Sequence, residues 1–184
     1  MKGLPMPKIY DCFSFFNESD LLEIRLNELS NVVDYFVIVE ATRTFMKKEK
    51  PLLFDITDPR FIKFKERIIH IVVDDFPNFF THWRIPKCWD YENHQKNAIE
   101  RALVNAAPDD IIIISDIDEI PNPTKILKNI SRQEPVIFQQ RLFYYFLNYV
   151  VTHANPESCI VHKNGIAYWR GSVMIRKRDF TSGR

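Results

Sequence analysis

The sequence predicts an α/β layered fold around a mainly parallel central sheet, on three observations. Apolar runs alternate with segments of helical periodicity over the first two-thirds of the chain. One run, Ile111-Ile112-Ile113-Ile114, has no polar alternation, as expected of a strand covered on both faces. Three of the runs end on acidic residues, which puts carboxylates at the strand ends where open α/β sheets take their ligands.

The elements follow in order. Residues 8–16 form a short apolar and aromatic run, read as a buried strand. Asn17-Glu18-Ser19-Asp20 then supplies helix-start chemistry. Leu22, Leu26 and Leu29 follow at helical spacing, with Asp20 and Glu23 placed like a capping box. Tyr35-Phe36-Val37-Ile38-Val39 is a second strand ending on Glu40, and residues 68–73 are a third ending on Asp74 and Asp75. Residues 92–107 repeat apolar side chains at Ala98, Ile99, Ala102, Leu103 and Ala106, which predicts one helix packed beside the isoleucine strand. Pro108-Asp109-Asp110 breaks it. Beyond Pro135, residues 136–139, 142–151 and 172–176 read as antiparallel strands, the first two of them long.

Composition bounds the function. The 184 residues are 46% hydrophobic and 27% charged, the balance of one globular domain spanning residues 1–184. A net charge of +1 provides no broad basic face for nucleic acid. Four glycines and eleven prolines mean few flexible hinges and many stiff turns, and fifteen phenylalanines promise aromatic packing. Cys12, Cys88 and Cys159 are odd in number and lack metal-ligand spacing, so they are read as free, mostly buried thiols of a reducing compartment. No apolar run approaches the roughly 20 residues of a spanning helix. The opening Met-Lys-Gly-Leu-Pro-Met-Pro is not followed by a signal-peptide core. The expectation is a soluble, cytoplasmic chain with no membrane segment, or a Golgi-lumen one if an anchor has been removed.

The densest chemistry is Asp116-Ile117-Asp118-Glu119-Ile120-Pro121. In extended chain, residues two apart point the same way, so Asp116 and Asp118 face the crevice while Ile117 turns into the core. Two hard oxygen donors suit magnesium or manganese, with diphosphate oxygens completing the shell. Pro121 and Pro123 stiffen the turn behind them. The bland alternative is a solvated turn or a helix cap. Haloacid-dehalogenase-type phosphatases also place two aspartates two apart after an apolar strand. Their motif sits early, with Thr or Val two residues past the second aspartate, whereas here Ile120 stands there and about two-thirds of the chain comes first. Two-metal nucleases need a cationic surface that this chain lacks.

Four segments together carry a resemblance. They are Asn17-x-x-Asp20-Leu21-Leu22-x-x-Arg25-x-x-Glu28-Leu29; Phe36-Val37-Ile38-Val39-Glu40; Thr44 with Lys50-Pro51-Leu52-x-Phe54; and Asp116 to Pro121. In this order and spacing the chain resembles the family-seventeen glycosyltransferases, from about Lys8 to Asp179. The animal member of that family adds the bisecting N-acetylglucosamine, β-1,4, to the core mannose of N-glycans. The resemblance implies a GT-A-like fold, UDP-N-acetylglucosamine as donor, a glycan hydroxyl as acceptor, a divalent metal and inversion at the anomeric carbon. It implies that Asp116 and Asp118 are the metal and diphosphate residues. The family usually has glycine where this chain has Lys47, and its domains generally continue past residue 184, so a C-terminal portion is expected to be missing.

Other residues take secondary roles. Glu119 either orients the acidic turn or serves as the catalytic base, for which Glu157, His153 and His162 are further candidates. Glu40 is read as a uridine or ribose contact or a cap on the next loop. Arg43, Thr44 and Lys50 in that loop can reach base or phosphate, or are solvated. Asn97 and Arg101 can approach one edge of the donor site, although a surface ion pair explains Arg101 equally well. Arg25 and Glu28 are expected to pair along their helix. Trp169, beside Gly171, packs in the core or stacks on a sugar. His70, His82 and His94 are structural. A non-catalytic domain binding nucleotide sugar or glycan is the alternative to an enzyme.

Overall fold

The computed structural model describes residues 6–46, 48–76, 88–143, 149–152 and 160–181. Within them nine strands form two sheets. β1 (Ile9–Phe15), β2 (Tyr35–Ala41), β3 (Ile68–Val73) and β4 (Ile111–Asp116) are the parallel part of a six-stranded sheet. β9 (Val173–Arg176) runs antiparallel to β4, and the two-residue β5 (Val136–Ile137) pairs with β9, giving the order β3-β2-β1-β4-β9-β5. The smaller sheet joins β6 (Gln140–Arg141), β8 (Ile166–Trp169) and β7 (Ile160–Lys163) in that order, all antiparallel.

Strand periodicity sorts the core into two layers. Ile9, Phe13, Phe36, Ile38, Ile111 and Ile113 face one side, where α1 (Ser19–Leu29) lays Leu22, Leu26 and Leu29 and α3 (Pro123–Asn129) lays Ile126. Tyr10, Cys12, Val37, Val39 and Ile112 face the other, under Ala98, Ile99 and Leu103. β4 is therefore interior and covered on both faces, as its unbroken isoleucines predict. Cys12 is a buried free thiol. The other two cysteine side chains lie outside the described residues.

Three local expectations are corrected. The helix over residues 92–107 is instead α2 (Cys88–Asn97) followed by a 3₁₀ turn over Ala98–Leu103. Apolar residues at 98, 99, 102 and 103 share one face at α-helical winding and not at three residues per turn, so the tighter turn is a departure that their spacing does not announce. This segment packs chiefly over β2 and β3, with Ile112 of β4 in the same cluster. The capping box of Asp20 and Glu23 does not form: the N-cap is Glu18, whose Oε2 accepts the N–H groups of Phe16 and Asn17. The strand expected over residues 136–139 shortens to β5, and the described part of residues 142–151 contributes a single bridge, Phe143 to Val150. Among the described residues no helix is long and apolar enough to cross a membrane.

Candidate active site at the carboxyl edge of the sheet

The chain builds β1, β2 and β3 outward on one side, then crosses back to lay β4 on the other side of β1. Helices leaving neighbouring strands in opposite directions open a crevice at such a reversal. Here it is a crevice of about 610 Å³, within the range of small-molecule sites. Its walls come from the end of β1 (Ser14, Phe15, Phe16), the loop after β2 (Arg43 to Met46, Lys50), α2 (Glu92, Gln95, Lys96) and the turn after β4 (Asp116, Ile117, Asp118).

That turn hangs on a buried arginine. Arg25, on the inner face of α1, has no exposed surface and grips Asp11 of β1 through Nε and Nη2, at 2.7 and 2.6 Å. Its Nη1 donates to the carbonyl oxygens of Asp116, Ile117 and Glu119, at 2.9, 3.1 and 3.3 Å, and Nη2 donates to Ser115 Oγ. A planar guanidinium can serve these converging acceptors where an ammonium could not. The expected Arg25–Glu28 pair is thus replaced by a tertiary one. Asp11, Ser115 and Arg25 share the α1 side of the sheet, and burial makes their mutual satisfaction obligatory.

The outer side of the turn is open. Asp116 and Asp118 are exposed and line the crevice, while Ile117 is buried in the core beneath α1. Lys96 Nζ stands 3.1 Å from Asp116 Oδ1 and 2.8 Å from Glu92 Oε1. Glu119 does not join the open pair. Its Oε2 accepts the Asp116 N–H at 3.0 Å, Oε1 accepts the indole N–H of Trp169, and its carbonyl accepts Ser172 Oγ at 3.1 Å. Burial raises its carboxyl above the ordinary value, against the lowering by those two N–H donors, and the charges of Asp116 and Asp118 add to the rise. A Cβ at Gly171 would collide with the Glu119 carboxylate and the Trp169 indole, so glycine keeps this contact possible. The geometry therefore puts Glu119 in the turn-orienting role.

With the crevice described, comparison with known proteins places the chain. The profile of Glycosyltransferase family 17 matches residues 2–174. The chain belongs to this family. It is similar to the human β-1,4-mannosyl-glycoprotein 4-β-N-acetylglucosaminyltransferase, 26% identical over 184 residues, covering 94% of this chain and 34% of the human protein. The rat protein of the same name is also 26% identical, and the mouse one 25%, over the same shares. The chain spans about a third of the length of these curated relatives. Family membership sets aside the phosphatase alternative.

In this family 17 chain the remaining predicted residues divide sharply. Arg43, Thr44 and Lys50 line the crevice from a small loop closed by Thr44 N–H to Lys48 O at 2.8 Å and Lys50 N–H to Thr42 O at 2.9 Å. Glu40 turns to the α1 side and is fully buried. Lys50 Nζ and the Leu53 and Phe54 N–H groups donate to it at 2.9, 2.6 and 3.2 Å, and His70 Nε2 lies 3.3 Å away. Burial alone would raise its carboxyl, but these partners hold it down at about 2. It is a cap on the loop. Arg101 pairs with Asp75 beyond β3, the surface ion pair, and the α2 residues at the crevice are Glu92, Gln95 and Lys96 rather than Asn97. Trp169 holds Glu119, and His162 is exposed on β7. Lys47, His82, His153 and Glu157 lie outside the described residues.

Sequence reasoning passed over Arg25 as an organiser, and Lys96, Glu92 and Gln95 as wall residues. The i, i+4 spacing of Glu92 and Lys96 was a usable signal, because it puts both on one helix face. The donor set at the turn is two exposed carboxylates, and among the described residues no three His, Cys, Asp or Glu side chains converge. That set fits a hard divalent cation of the kind that takes one or two carboxylates and fills its shell with phosphate oxygens and water.

Proposed function

We propose that this chain is the nucleotide-sugar part of an inverting N-acetylglucosaminyltransferase, on a GT-A-like fold. Its donor is UDP-N-acetylglucosamine and its acceptor a glycan hydroxyl. The observation that carries the reading is the pair Asp116 and Asp118, exposed at the crevice of a family 17 chain and fixed from behind by Arg25. Both carboxylates hold manganese or magnesium, which when bound neutralises the diphosphate of the donor. Thr44 and Arg43 meet the nucleotide from the facing loop, which Lys50 braces through Glu40, and Phe16 and Phe45 offer partly exposed rings beside them. Glu119 keeps the turn in shape, so the base that takes the acceptor proton comes from another residue.

The first test is thermal stability with nucleotide sugars. UDP-N-acetylglucosamine with manganese stabilises the protein, by about 2.7 kcal/mol at a hundredfold excess over Kd, and more than GDP-mannose or ADP-glucose does. Equal shifts from all three donors would overturn uridine selectivity, and a shift indifferent to manganese would overturn the metal role.

A further inference from the structure

The turn that presents Asp116 already has a cation on it. Lys96 Nζ lies 3.1 Å from Asp116 Oδ1 and is steadied by Glu92 Oε1 at 2.8 Å. Glu92 and Lys96 are one helical turn apart, so α2 aims both into the crevice. The helix itself is anchored there. Gln95, buried beside them, donates Nε2 to Val39 O of β2 at 2.9 Å. Lys96 can therefore change partners only through its own side chain, whose four-carbon stem lets the ammonium sweep several ångströms.

We propose that Lys96 alternates between two anions: it neutralises Asp116 while the crevice is empty and moves to the donor's diphosphate when a divalent cation takes Asp116. The inference rests on the donor-binding reading above and goes further by naming a diphosphate contact outside the acidic turn. Two cations cannot share one carboxylate oxygen without strong repulsion. With a metal at Asp116 and Asp118 the ammonium leaves Asp116, keeps Glu92 as a partner at its side, and turns its remaining N–H donors to phosphate oxygens in the crevice. The same lysine opposes metal binding alone and favours metal with diphosphate, which couples the two ligands through a single side chain.

This gives effects of opposite sign, which loss of helix structure alone does not produce. Calorimetric titration of Lys96→Gln is expected to show manganese alone binding about two- to fivefold more tightly than to wild type, the worth of a part-exposed ion pair. UDP with saturating manganese is expected to bind about ten- to a hundredfold more weakly, as for a lost charge-assisted hydrogen bond. UMP, lacking the second phosphate, should lose much less, and Lys96→Arg should recover most of the UDP affinity. If Lys96→Gln does not fold, Lys96→Met keeps the aliphatic stem and carries the same test. Wild-type UDP binding that needs manganese, combined with unchanged manganese and UDP affinities in the variant, overturns this inference and leaves the functional reading intact. Absence of any manganese-dependent UDP binding by wild type overturns both.

Discussion

Glu40 and Asp116 close two buried parallel strands that flank β1 at nearly the same level, opposite Phe15 and Ser14. Each is a carboxylate at the carboxyl edge of the sheet; from the sequence Asp116 reads as a metal residue and Glu40 equally as a ligand contact or a cap on the next loop. Their environments differ because their parity differs. Glu40 follows Phe36 and Ile38 onto the α1 side, where Lys50 and two backbone N–H groups of the loop saturate it. Asp116 follows Ile112 and Ile114 toward the α2 side and keeps about half its side chain in solvent. A buried carboxylate must collect donors from its own chain, and having done so it holds a fixed loop. An exposed one at the same edge retains acceptor capacity for something arriving from outside. The same division runs through the turn itself: the carbonyls of Asp116, Ile117 and Glu119 face inward to Arg25, and the carboxylates of Asp116 and Asp118 face outward.

If the division is right, inward groups should carry stability and outward groups binding. The largest stability loss is expected at Arg25. Arg25→Met leaves Asp11 charged and buried without its partner, at a cost of about 3–5 kcal/mol. Changing both members, Arg25→Met with Asp11→Leu, should recover much of that, since replacing a buried pair with apolar groups is often close to neutral. It cannot restore donors to the carbonyls of Asp116, Ile117 and Glu119, so the double variant should regain much of its stability in urea while its manganese-dependent UDP affinity stays low. Recovery of both together would mean that Arg25 fills space rather than positions the turn.

A smaller and pH-dependent loss belongs to Glu40. Its carboxyl sits at about 2 in the folded protein, below the ordinary value, so its ionised form favours folding. That contribution is fully present above the unfolded-state pKa, about 4.3, and disappears as the pH falls through the folded value toward 2. Glu40→Gln should therefore cost roughly 2–3 kcal/mol near pH 6, and the gap to wild type should close on acidification. Urea melts of both proteins between pH 3 and 6 measure it. A gap that stays constant with pH would assign the loss to packing instead.

How much of this was legible beforehand depended on the range of the interaction. The parallel strands, the interior position of Ile111 to Ile114 and the inward turn of Ile117 follow from local apolar patterns, and all three are found. Arg25 is different. Its partners lie 14 residues behind and 90 or more ahead, and no local spacing announces them, so the i, i+3 rule pointed to Glu28. The β7–β8 hairpin was legible and missed: Asn164-Gly165, both at positive φ, is the two-residue turn that right-twisted strands favour. The winding of residues 98–103 was not, because their apolar spacing is that of an α-helix while the chain winds more tightly there.

The smallest effect on ligand-free stability, and the most informative, is expected at Asp118. Asn keeps the shape and removes one charge. Asp118 is exposed, and its charge is one of the influences that raise the Glu119 carboxyl, so removing it relieves a repulsion within the turn. Asp118→Asn should thus melt at the wild-type temperature or slightly above it, within about 0.5 kcal/mol of wild type. Binding should behave in the opposite way. A hard cation held by two protein carboxylates depends heavily on each, and the departing diphosphate loses its main electrostatic partner with it. Manganese-dependent UDP binding and transfer are expected to fall below detection in a protein that is otherwise as stable as before. Calorimetric titration of UDP with manganese into both proteins, beside their ligand-free melting curves, reads the two quantities separately. Unchanged UDP affinity would remove Asp118 from the metal site. A collapse of ligand-free stability would instead make Asp118 a structural residue of the turn, and the outward side would then differ from the inward side in exposure alone.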